Sequence, residues 1–168
     1  SYSARSDLGG GVLLTLCHPF DYLRWFFGKV SSVLASDGRN GGLEIDVEDT
    51  ADVILNFKSG VLGNVHLDYL EQPSEHNMRI IGEKGVIYWD NSNGLVKWYQ
   101  EPLKKWNEIR LSDEFDRNEM YLSEMKHFLS CMSKHNQPIC NLDDGVENLR
   151  IVLGAKESAK KGRLVNIL

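Results

Sequence analysis

The sequence predicts an α+β fold in which a largely antiparallel, open-faced sheet is packed on one side by helices. Three observations predict it. Apolar residues recur at helical spacing near the N-terminus. From residue 29 to about residue 111, apolar and polar residues instead alternate with a period of two, as in strands. Two further segments with helical spacing end the chain. With 168 residues, the chain is long enough to bury a core, and we expect a single domain over residues 1–168.

The first helix is predicted over Val12 to Phe27, directly after three consecutive glycines. Pro19 lies inside this segment. Because proline lacks the amide donor of a helix interior and clashes one turn back, Pro19 either kinks the helix or begins a new one. Gly28 is a natural end for the helix, since glycine readily adopts the left-handed backbone angles of a C-cap.

The period-two region contains eight candidate strands. They are Val30–Ser36, Glu44–Asp46 (the weakest), Ala51–Phe57, Val61–Tyr69, Asn77–Ile81, Val86–Trp89, Leu95–Tyr99 and Glu108–Leu111. Compact glycine-containing turns between several of them are of the kind that joins antiparallel neighbours. One face of the sheet must pack on the helices. The other face mixes polar and aromatic side chains, which is typical of subunit contacts, so we expect oligomerisation through it.

Two helices are predicted at the C-terminus. The first runs from Phe115 to His135 and has an apolar stripe at spacings of three and four, formed by Leu122, Met125, Leu129 and Met132. The second begins at Asn141, a favourable N-cap, with acidic residues in its first turn. It ends at Gly162 after a lysine-rich last turn, which suits the helix dipole.

Charge and composition limit the possible partners. The net charge is −5, and the basic residues form no stripe, so we expect no nucleic-acid partner. No apolar run approaches the roughly 20 residues of a membrane span, so we expect no membrane partner. The three cysteines, Cys17, Cys131 and Cys140, have no CxxC spacing. This pattern favours a reducing cytoplasm over a disulfide framework or a zinc site, and we expect no bound metal.

The strongest chemical signal is His18 with Asp21, because an apolar segment with few charges rarely keeps such a pair unless it is hydrogen-bonded or functional. Residues three apart share one helix face, so both side chains can meet one ligand. Structural roles remain open: His18 can cap the helix that Pro19 begins, and Asp21 suits the dipole of a first turn. His66 and Asp68 alternate along one strand but lack a third metal ligand.

Several motifs carry a resemblance to a known family when they are taken in order. They are Gly9-Gly10-Gly11-Val12-Leu13-Leu14, His18-Pro19-Phe20-Asp21-Tyr22-Leu23-Arg24-Trp25, Val47-Glu48-Asp49-Thr50-Ala51, Lys58-Ser59-Gly60, Arg79-Ile80-Ile81-Gly82-Glu83-Lys84-Gly85, Glu124-Met125-Lys126-His127-Phe128-Leu129, Asp143-Asp144-Gly145 and Ala155-Lys156-Glu157-Ser158-Ala159. The ordered set, which runs through nearly the whole chain, resembles the C-terminal domain of the glucose–fructose oxidoreductase / inositol dehydrogenase / MocA family.

The resemblance implies one half of a two-domain NAD(P)-dependent oxidoreductase that acts on a sugar or a nucleotide sugar. In that family an N-terminal Rossmann domain binds the dinucleotide, and the C-terminal domain supplies substrate contacts and the oligomer interface. This sequence has no G-x-G-x-x-G after a strand and no Glu-Lys-Pro segment, which carries the family's catalytic lysine. We therefore expect NAD or NADP to bind mainly outside this chain, no cofactor or turnover for this chain alone, and a homodimer or homotetramer.

The resemblance also assigns a role to one residue. His18 matches the family's active-site histidine, a general acid/base that exchanges a proton with the substrate hydroxyl. The expected substrate contacts are Asp21, Thr15, Arg5 and Tyr22. Arg5 can instead be a solvated arginine, and Tyr22 can pack in the core with Trp25.

One position departs from the family pattern. Members often carry an aspartate four residues before the histidine, and here that position is Leu14, which cannot share a proton. The departure keeps open an alternative function, a non-catalytic dimerisation or ligand-binding module with the same fold.

Overall fold

The computed structural model describes residues 1–112 and 114–168, which contain four α-helices and eight β-strands. In chain order the elements are α1 Val12–Thr15, α2 His18–Phe27, β1 Val30–Gly38, β2 Thr50–Phe57, β3 Leu62–Asp68, β4 Asn77–Gly82, β5 Gly85–Asp90, β6 Leu95–Gln100, β7 Lys105–Arg110, α3 Asn118–Lys134, α4 Leu142–Lys161 and β8 Val165–Asn166. The chain divides into two compact units. Unit 1 is Ser1–Leu70 with Ile139–Leu168, and unit 2 is Glu71–Pro138.

Unit 1 is a four-stranded antiparallel sheet in the order β3-β2-β1-β8, with α1, α2 and α4 packed against it. Burial alternates along β2, so one face of the sheet is covered and the other is open. The core lies between the covered face and the helices. Its fully buried side chains include Val12, Leu13, Phe20, Val33, Val53, Leu55, Ile151 and Val152.

The break in the first predicted helix is confirmed. The chain forms the short helix α1 and then starts again at His18, with Pro19 in the first turn of α2. Gly28 ends α2 with a φ of 86°, and its N–H donates to the Arg24 carbonyl at 2.8 Å. Proline is tolerated in the first turn because an amide there has no helical acceptor.

The predicted ends of the last helix are also confirmed. The Asn141 side chain accepts a hydrogen bond from the Asp144 N–H at 3.1 Å, and the Asp144 carboxylate accepts one from the Asn141 N–H at 3.0 Å. This reciprocal capping box satisfies two amides that the helix itself leaves free. Gly162 closes α4 in a left-handed conformation with a φ of 61°.

Unit 2 is a second four-stranded antiparallel sheet, in the order β4-β5-β6-β7, followed by α3. None of the unit 2 residues that the structure describes is buried. The apolar stripe of α3 is 42% to 59% exposed at Leu122, Met125, Leu129 and Met132. The stripe therefore exists as predicted, but within this chain it is not covered.

The α+β fold class is confirmed, with the period-two region folded as two sheets. The predicted weak strand Glu44–Asp46 is wrong: this segment is a loop. Its polar groups are used elsewhere, since the Asp46 carboxylate accepts hydrogen bonds from the Ser6 N–H at 2.8 Å and from the Ser6 hydroxyl at 2.7 Å. Strand β8 was not predicted, because two residues are too short to show a period.

Candidate functional site

The triple-glycine loop fixes where α1 begins. The Gly10 N–H donates to the Arg5 carbonyl at 2.8 Å, and the Gly11 N–H donates to the Ser3 carbonyl at 3.0 Å. Gly11 has a φ of 102°, and a Cβ at this position would collide with the Glu48 carboxylate. The loop therefore requires glycine at position 11, both for the backbone angle and for the space.

The Glu48 carboxylate ties this loop to α4. It lies 3.2 and 3.3 Å from the Lys156 ammonium, and only 10% of the Glu48 side chain is exposed. The Glu48 carbonyl also accepts a hydrogen bond from the Val12 N–H, the first amide of α1, at 3.2 Å. Burial, together with the nearby Glu48 charge, raises the pKa of Asp37.

His18 is the first residue of α2, and its side chain is exposed. Among the described residues, no hydrogen bond or ion pair involves its ring, so both nitrogens are open to a ligand. The N-cap of α2 is Cys17, and no side chain caps the helix. The alternative that His18 is a helix cap is therefore wrong.

Asp21, one turn further along α2, is held by Arg24 rather than by His18. The Arg24 guanidinium lies 3.6 Å from the Asp21 carboxylate and 2.8 Å from the Asp144 carboxylate. Hydrogen bonds from the Asn141 N–H and from Arg24 lower the pKa of Asp144. Sequence reasoning missed Arg24, although its spacing of three from Asp21 on a helix was a usable signal.

Thr15, at the end of α1, takes part in a hydrogen-bond chain across the fold. Its hydroxyl lies 2.8 Å from the Gly11 carbonyl and contacts the Tyr69 hydroxyl, which lies 3.4 Å from the Ser3 carbonyl. Each hydroxyl has one proton, so the chain can run in two directions. In one, Tyr69 donates to Thr15 and Thr15 donates to the Gly11 carbonyl. In the other, Thr15 donates to Tyr69 and Tyr69 donates to the Ser3 carbonyl. Burial raises the pKa of Tyr69. Sequence reasoning missed this tyrosine.

Two predicted contact residues have protein neighbours of their own. The Arg5 guanidinium is exposed and donates to both oxygens of Asp7, at 3.0 and 2.6 Å, and this hydrogen bonding raises its pKa. Tyr22 is half-buried, its ring lies 6.4 Å from that of Phe26, and burial raises its pKa to about 12. Trp25 is 76% exposed and stacks on Phe26.

An open groove of about 820 Å³ lies on unit 1, beside the glycine loop. Its charged lining residues are Asp37, Arg39, Asp46, Glu48 and Lys156. None of the five predicted site residues lines it, but Leu14, the residue at the family's aspartate position, does. The groove joins three of the sequence motifs that lie far apart along the chain, Gly9–Leu14, Val47–Ala51 and Ala155–Ala159.

The buried carboxylate of Asp49 shapes the loop next to this groove. Asp49 is 1% exposed and accepts hydrogen bonds from the Asn40 N–H at 2.8 Å, the Gly41 N–H at 2.9 Å and the Thr50 hydroxyl at 3.0 Å. These bonds, led by the one from Asn40, outweigh the cost of burial and lower the pKa of Asp49.

His66 lies between two carboxylates on the open face of the unit 1 sheet. Its Nδ1 is 2.9 Å from Asp52 and its Nε2 is 3.3 Å from Asp68, and the bond to Asp52 raises the His66 pKa. Within residues 1–112 and 114–168, no group of three or more acidic, histidine or cysteine side chains is arranged to hold a metal ion. No helix in that part of the chain is both long and apolar enough to span a membrane.

Comparison with known proteins places the whole chain in one family. Residues 3–167 match the family described as "Oxidoreductase family, C-terminal alpha/beta domain". The chain is 26% identical over 170 residues to a myo-inositol 2-dehydrogenase of Thermotoga maritima, covering 95% of this chain and 50% of that protein. It is also 26% identical over 170 residues to a scyllo-inositol 2-dehydrogenase (NAD(+)) of Bacillus subtilis, covering 94% of this chain and 48% of that protein. The chain spans about half the length of the curated relatives it matches.

Solved structures share the fold. An oxidoreductase from Agrobacterium radiobacter, in complex with NAD+, L-tartaric acid and magnesium, matches with a TM-score of 0.82 at 22% identity, over 99% of this chain and 51% of that one. A levoglucosan dehydrogenase in complex with NADH and levoglucosan matches with a TM-score of 0.87 at 17% identity, over 99% of this chain and 53% of that one. At these identities the similarity shows the fold alone.

Proposed function

The chain belongs to the glucose–fructose oxidoreductase / inositol dehydrogenase / MocA family as its C-terminal alpha/beta domain, and from this premise we propose that it is the substrate-binding half of an NAD(P)-dependent oxidoreductase acting on a sugar or nucleotide sugar. The observation that carries the proposal is His18. It follows the triple-glycine loop, starts α2 and has no hydrogen-bond or ion-pair partner in the described part of the chain. An exposed imidazole free at both nitrogens suits proton exchange with a bound hydroxyl.

The dinucleotide, which supplies hydride chemistry when bound, does not fit the residues of this chain. A Rossmann unit is built from parallel strands joined by crossover helices, whereas every strand pair among the described residues is antiparallel. We propose that NAD or NADP is held by residues outside this chain and that the chain is inactive alone. The half-length match to the relatives supports this division.

In this proposal, His18 exchanges a proton with the substrate hydroxyl. A neutral imidazole has one unprotonated nitrogen, which accepts the hydroxyl proton when the carbinol carbon is oxidised and returns it in the reverse direction. Residues 14 and 15 give this ring no relay partner, because Leu14 cannot bind a proton and the Thr15 hydroxyl is bonded to Gly11 and Tyr69. We therefore infer that the proton passes between His18 and water or substrate directly.

Substrate hydroxyls are proposed to bind at Asp21. Its carboxylate is half-exposed, points towards Arg24 at 3.6 Å and keeps lone pairs free for hydroxyl donors. The Arg24 guanidinium is mostly buried and is anchored by Asp144, so it fixes the direction of the Asp21 side chain. Arg5 and Tyr22 are secondary candidates, since Arg5 must release Asp7 before it can bind a ligand.

We also propose that the protein is a homodimer or homotetramer in the cytoplasm. Exposed apolar side chains on the open sheet faces, such as Ile54 and Ile109, support self-association. Three free cysteines fit a reducing compartment.

The test compares two histidine-to-asparagine variants of the full-length protein that carries this chain. His18→Asn is expected to lower turnover of NAD(P)-linked inositol, aldose or nucleotide-sugar oxidation by about 10²- to 10⁴-fold. His135→Asn is the matched control, because His135 is exposed at the end of α3 in a left-handed conformation that asparagine tolerates. Turnover within about twofold of wild type in His18→Asn would show that His18 is not the acid/base, and would favour the non-catalytic module that Leu14 permits.

A further inference from the structure

A mostly buried guanidinium lies between two carboxylates where α2 packs against α4. The Arg24 side chain is 16% exposed, and its Nη2 lies 2.8 Å from the Asp144 carboxylate and 3.6 Å from the Asp21 carboxylate. Within the part of the chain that the structure describes, these carboxylates are the only polar partners of the guanidinium, and the Arg24 Nε is buried without one. Because a buried charge requires a partner, the position of the guanidinium depends on the two acids.

The two carboxylates hold Arg24 unequally. The contact with Asp144 has the length of a charge-assisted hydrogen bond, whereas the contact with Asp21 is an ion pair that is too long for one. The Asp144 side chain is 29% exposed and the Asp21 side chain is 43% exposed. Asp144 therefore anchors the guanidinium, and the Asp21 oxygens remain available to a ligand.

Asp144 is itself fixed by the start of α4. Its Oδ2 accepts the capping-box hydrogen bond from the Asn141 N–H at 3.0 Å, while its Oδ1 accepts the bond from Arg24 at 2.8 Å. These bonds, led by the one from Asn141, lower the pKa of Asp144, so the carboxylate is charged at neutral pH. One side chain thus caps α4 and anchors a residue that lies 120 positions earlier in the chain.

We propose that Asp144 is a positioning residue for substrate binding, because it holds the Arg24 guanidinium away from Asp21. The proposal rests on the proposed function, in which Asp21 binds substrate hydroxyls. Without the charge of Asp144, Asp21 is the one remaining carboxylate partner of Arg24 among the described residues. The guanidinium then closes on Asp21 and occupies the lone pairs that a substrate hydroxyl needs.

Position 144 offers two variants of equal length that differ in charge. Glutamate and glutamine both suit this position of a capping box, so Asp144→Glu and Asp144→Gln are expected to keep the start of α4. Only the glutamate supplies a charge to Arg24. Asp143→Asn is the control for the loss of an acidic residue from the first turn, because Asp143 is exposed and has no ion pair in the described residues.

The first test measures KM and kcat of the full-length protein, with its best substrate among the inositols, aldoses and nucleotide sugars used for His18→Asn. Asp144→Gln is expected to raise the substrate KM about tenfold or more and to leave kcat within about threefold, because a binding contact is lost and the reacting groups are unchanged. Asp144→Glu is expected to restore most of the affinity, and Asp143→Asn to behave like wild type. An unchanged KM in Asp144→Gln, or an equal rise in Asp144→Glu, overturns the proposal.

The second test needs no substrate and compares the melting temperature of the full-length protein with and without Asp21→Asn. In wild type this substitution is expected to change Tm little, because the Asp21 carboxylate is 3.6 Å from Arg24 and 43% exposed. In the Asp144→Gln background its effect on Tm is expected to be at least twice as large, because Asp21 is then the partner of a buried charge. Equal changes in the two backgrounds overturn the proposal.

The outcomes separate this proposal from the proposed function. A protein that oxidises none of the substrates, or an Asp21→Asn variant with an unchanged KM, overturns the substrate site at Asp21 and this proposal with it. A raised KM in Asp21→Asn, together with wild-type constants in Asp144→Gln, overturns only the role of Asp144. The double variant is expected to have the KM of Asp21→Asn alone, and independent, additive effects would contradict the action of Asp144 through Asp21.

Discussion

The two units use the same strand pattern and differ in what covers it. In unit 1, alternate residues of β2 are buried on the sheet face that α1, α2 and α4 cover, and every buried apolar residue of the described chain lies in this unit. In unit 2, strands of similar length pair in full register, yet both faces remain partly exposed. A period of two therefore predicts a strand, whereas the layer that covers the strand is set by residues distant in the sequence.

The difference matters for function because the candidate site lies entirely on the covered unit. His18, Asp21 and Arg24 are on α2, whose Phe20 is fully buried in the unit 1 core. A catalytic side chain is held more precisely by a packed element than by a mobile one. Unit 2 carries none of the predicted site residues and is free to serve as an interface.

The largest expected effect on stability comes from replacing a buried isoleucine of unit 1 with alanine, compared with the same replacement in unit 2. Ile151→Ala removes a side chain that is 2% exposed in α4, and we expect it to cost about 2–5 kcal/mol of unfolding free energy. Ile109→Ala removes one that is 64% exposed in β7 and is expected to cost less than about 1 kcal/mol. Urea unfolding of the 168-residue chain, followed by circular dichroism, measures both. Equal losses would show that the two units are equally packed.

The next effect tests the glycine loop of unit 1. Gly11→Ala adds a Cβ at a φ of 102° and against the Glu48 carboxylate, so we expect a loss of about 1–3 kcal/mol in the same unfolding experiment. Gly42→Ala is the matched control, because nothing lies within 4 Å of its added Cβ. The control is expected to be neutral or slightly stabilising. A neutral Gly11→Ala would mean that the loop is not constrained by Glu48.

The next prediction concerns the pH dependence of stability at Asp49 in unit 1. The hydrogen bonds to Asp49 lower its pKa in the folded state. Their contribution to stability is therefore complete above the unfolded-state pKa of about 4 and is lost as the pH falls through the lower folded-state pKa. The difference in melting temperature between wild type and Asp49→Asn should therefore shrink below about pH 4. A difference that stays constant from pH 6 to pH 2.5 would contradict this assignment.

The smallest effect concerns His66 on the open face of unit 1. The Asp52 and Asp68 carboxylates raise the pKa of His66 in the folded state. The contribution of His66 to stability is therefore complete below the unfolded-state pKa of about 6.5 and disappears as the pH rises through the higher folded-state pKa. Because the ring is 54% exposed, we expect less than about 1 kcal/mol. The melting-temperature advantage of wild type over His66→Gln should fall between pH 6 and pH 8, and an unchanged advantage would exclude the ion pairs.

Local signals account for what the sequence predicts well. Pro19, Gly28, Asn141 and Gly162 act within one or two turns of their own positions, and the structure confirms the helix ends at each. The error at Glu44–Asp46 arose from a contact of Asp46 with Ser6, forty residues away. An isolated window contains no information about such a partner.

The candidate site shows the same limit. His18 was found because a histidine in an apolar segment is a local anomaly. Three other contacts were missed because they join distant segments: Thr15 with Tyr69, Arg24 with Asp144, and Glu48 with Lys156. The separations are 54, 120 and 108 residues, so periodicity and capping rules cannot reveal them.

The proposed division, in which unit 1 is stable by itself and unit 2 depends on a partner, is tested most directly by hydrogen exchange of the full-length protein above and below the dissociation constant of the proposed dimer. We predict that amides of β2 and α4 exchange equally slowly at both concentrations. Amides of β5 and β6 should become more protected in the dimer. Equal protection of β5 and β6 at both concentrations would contradict the division, because unit 2 would then be stable without a partner.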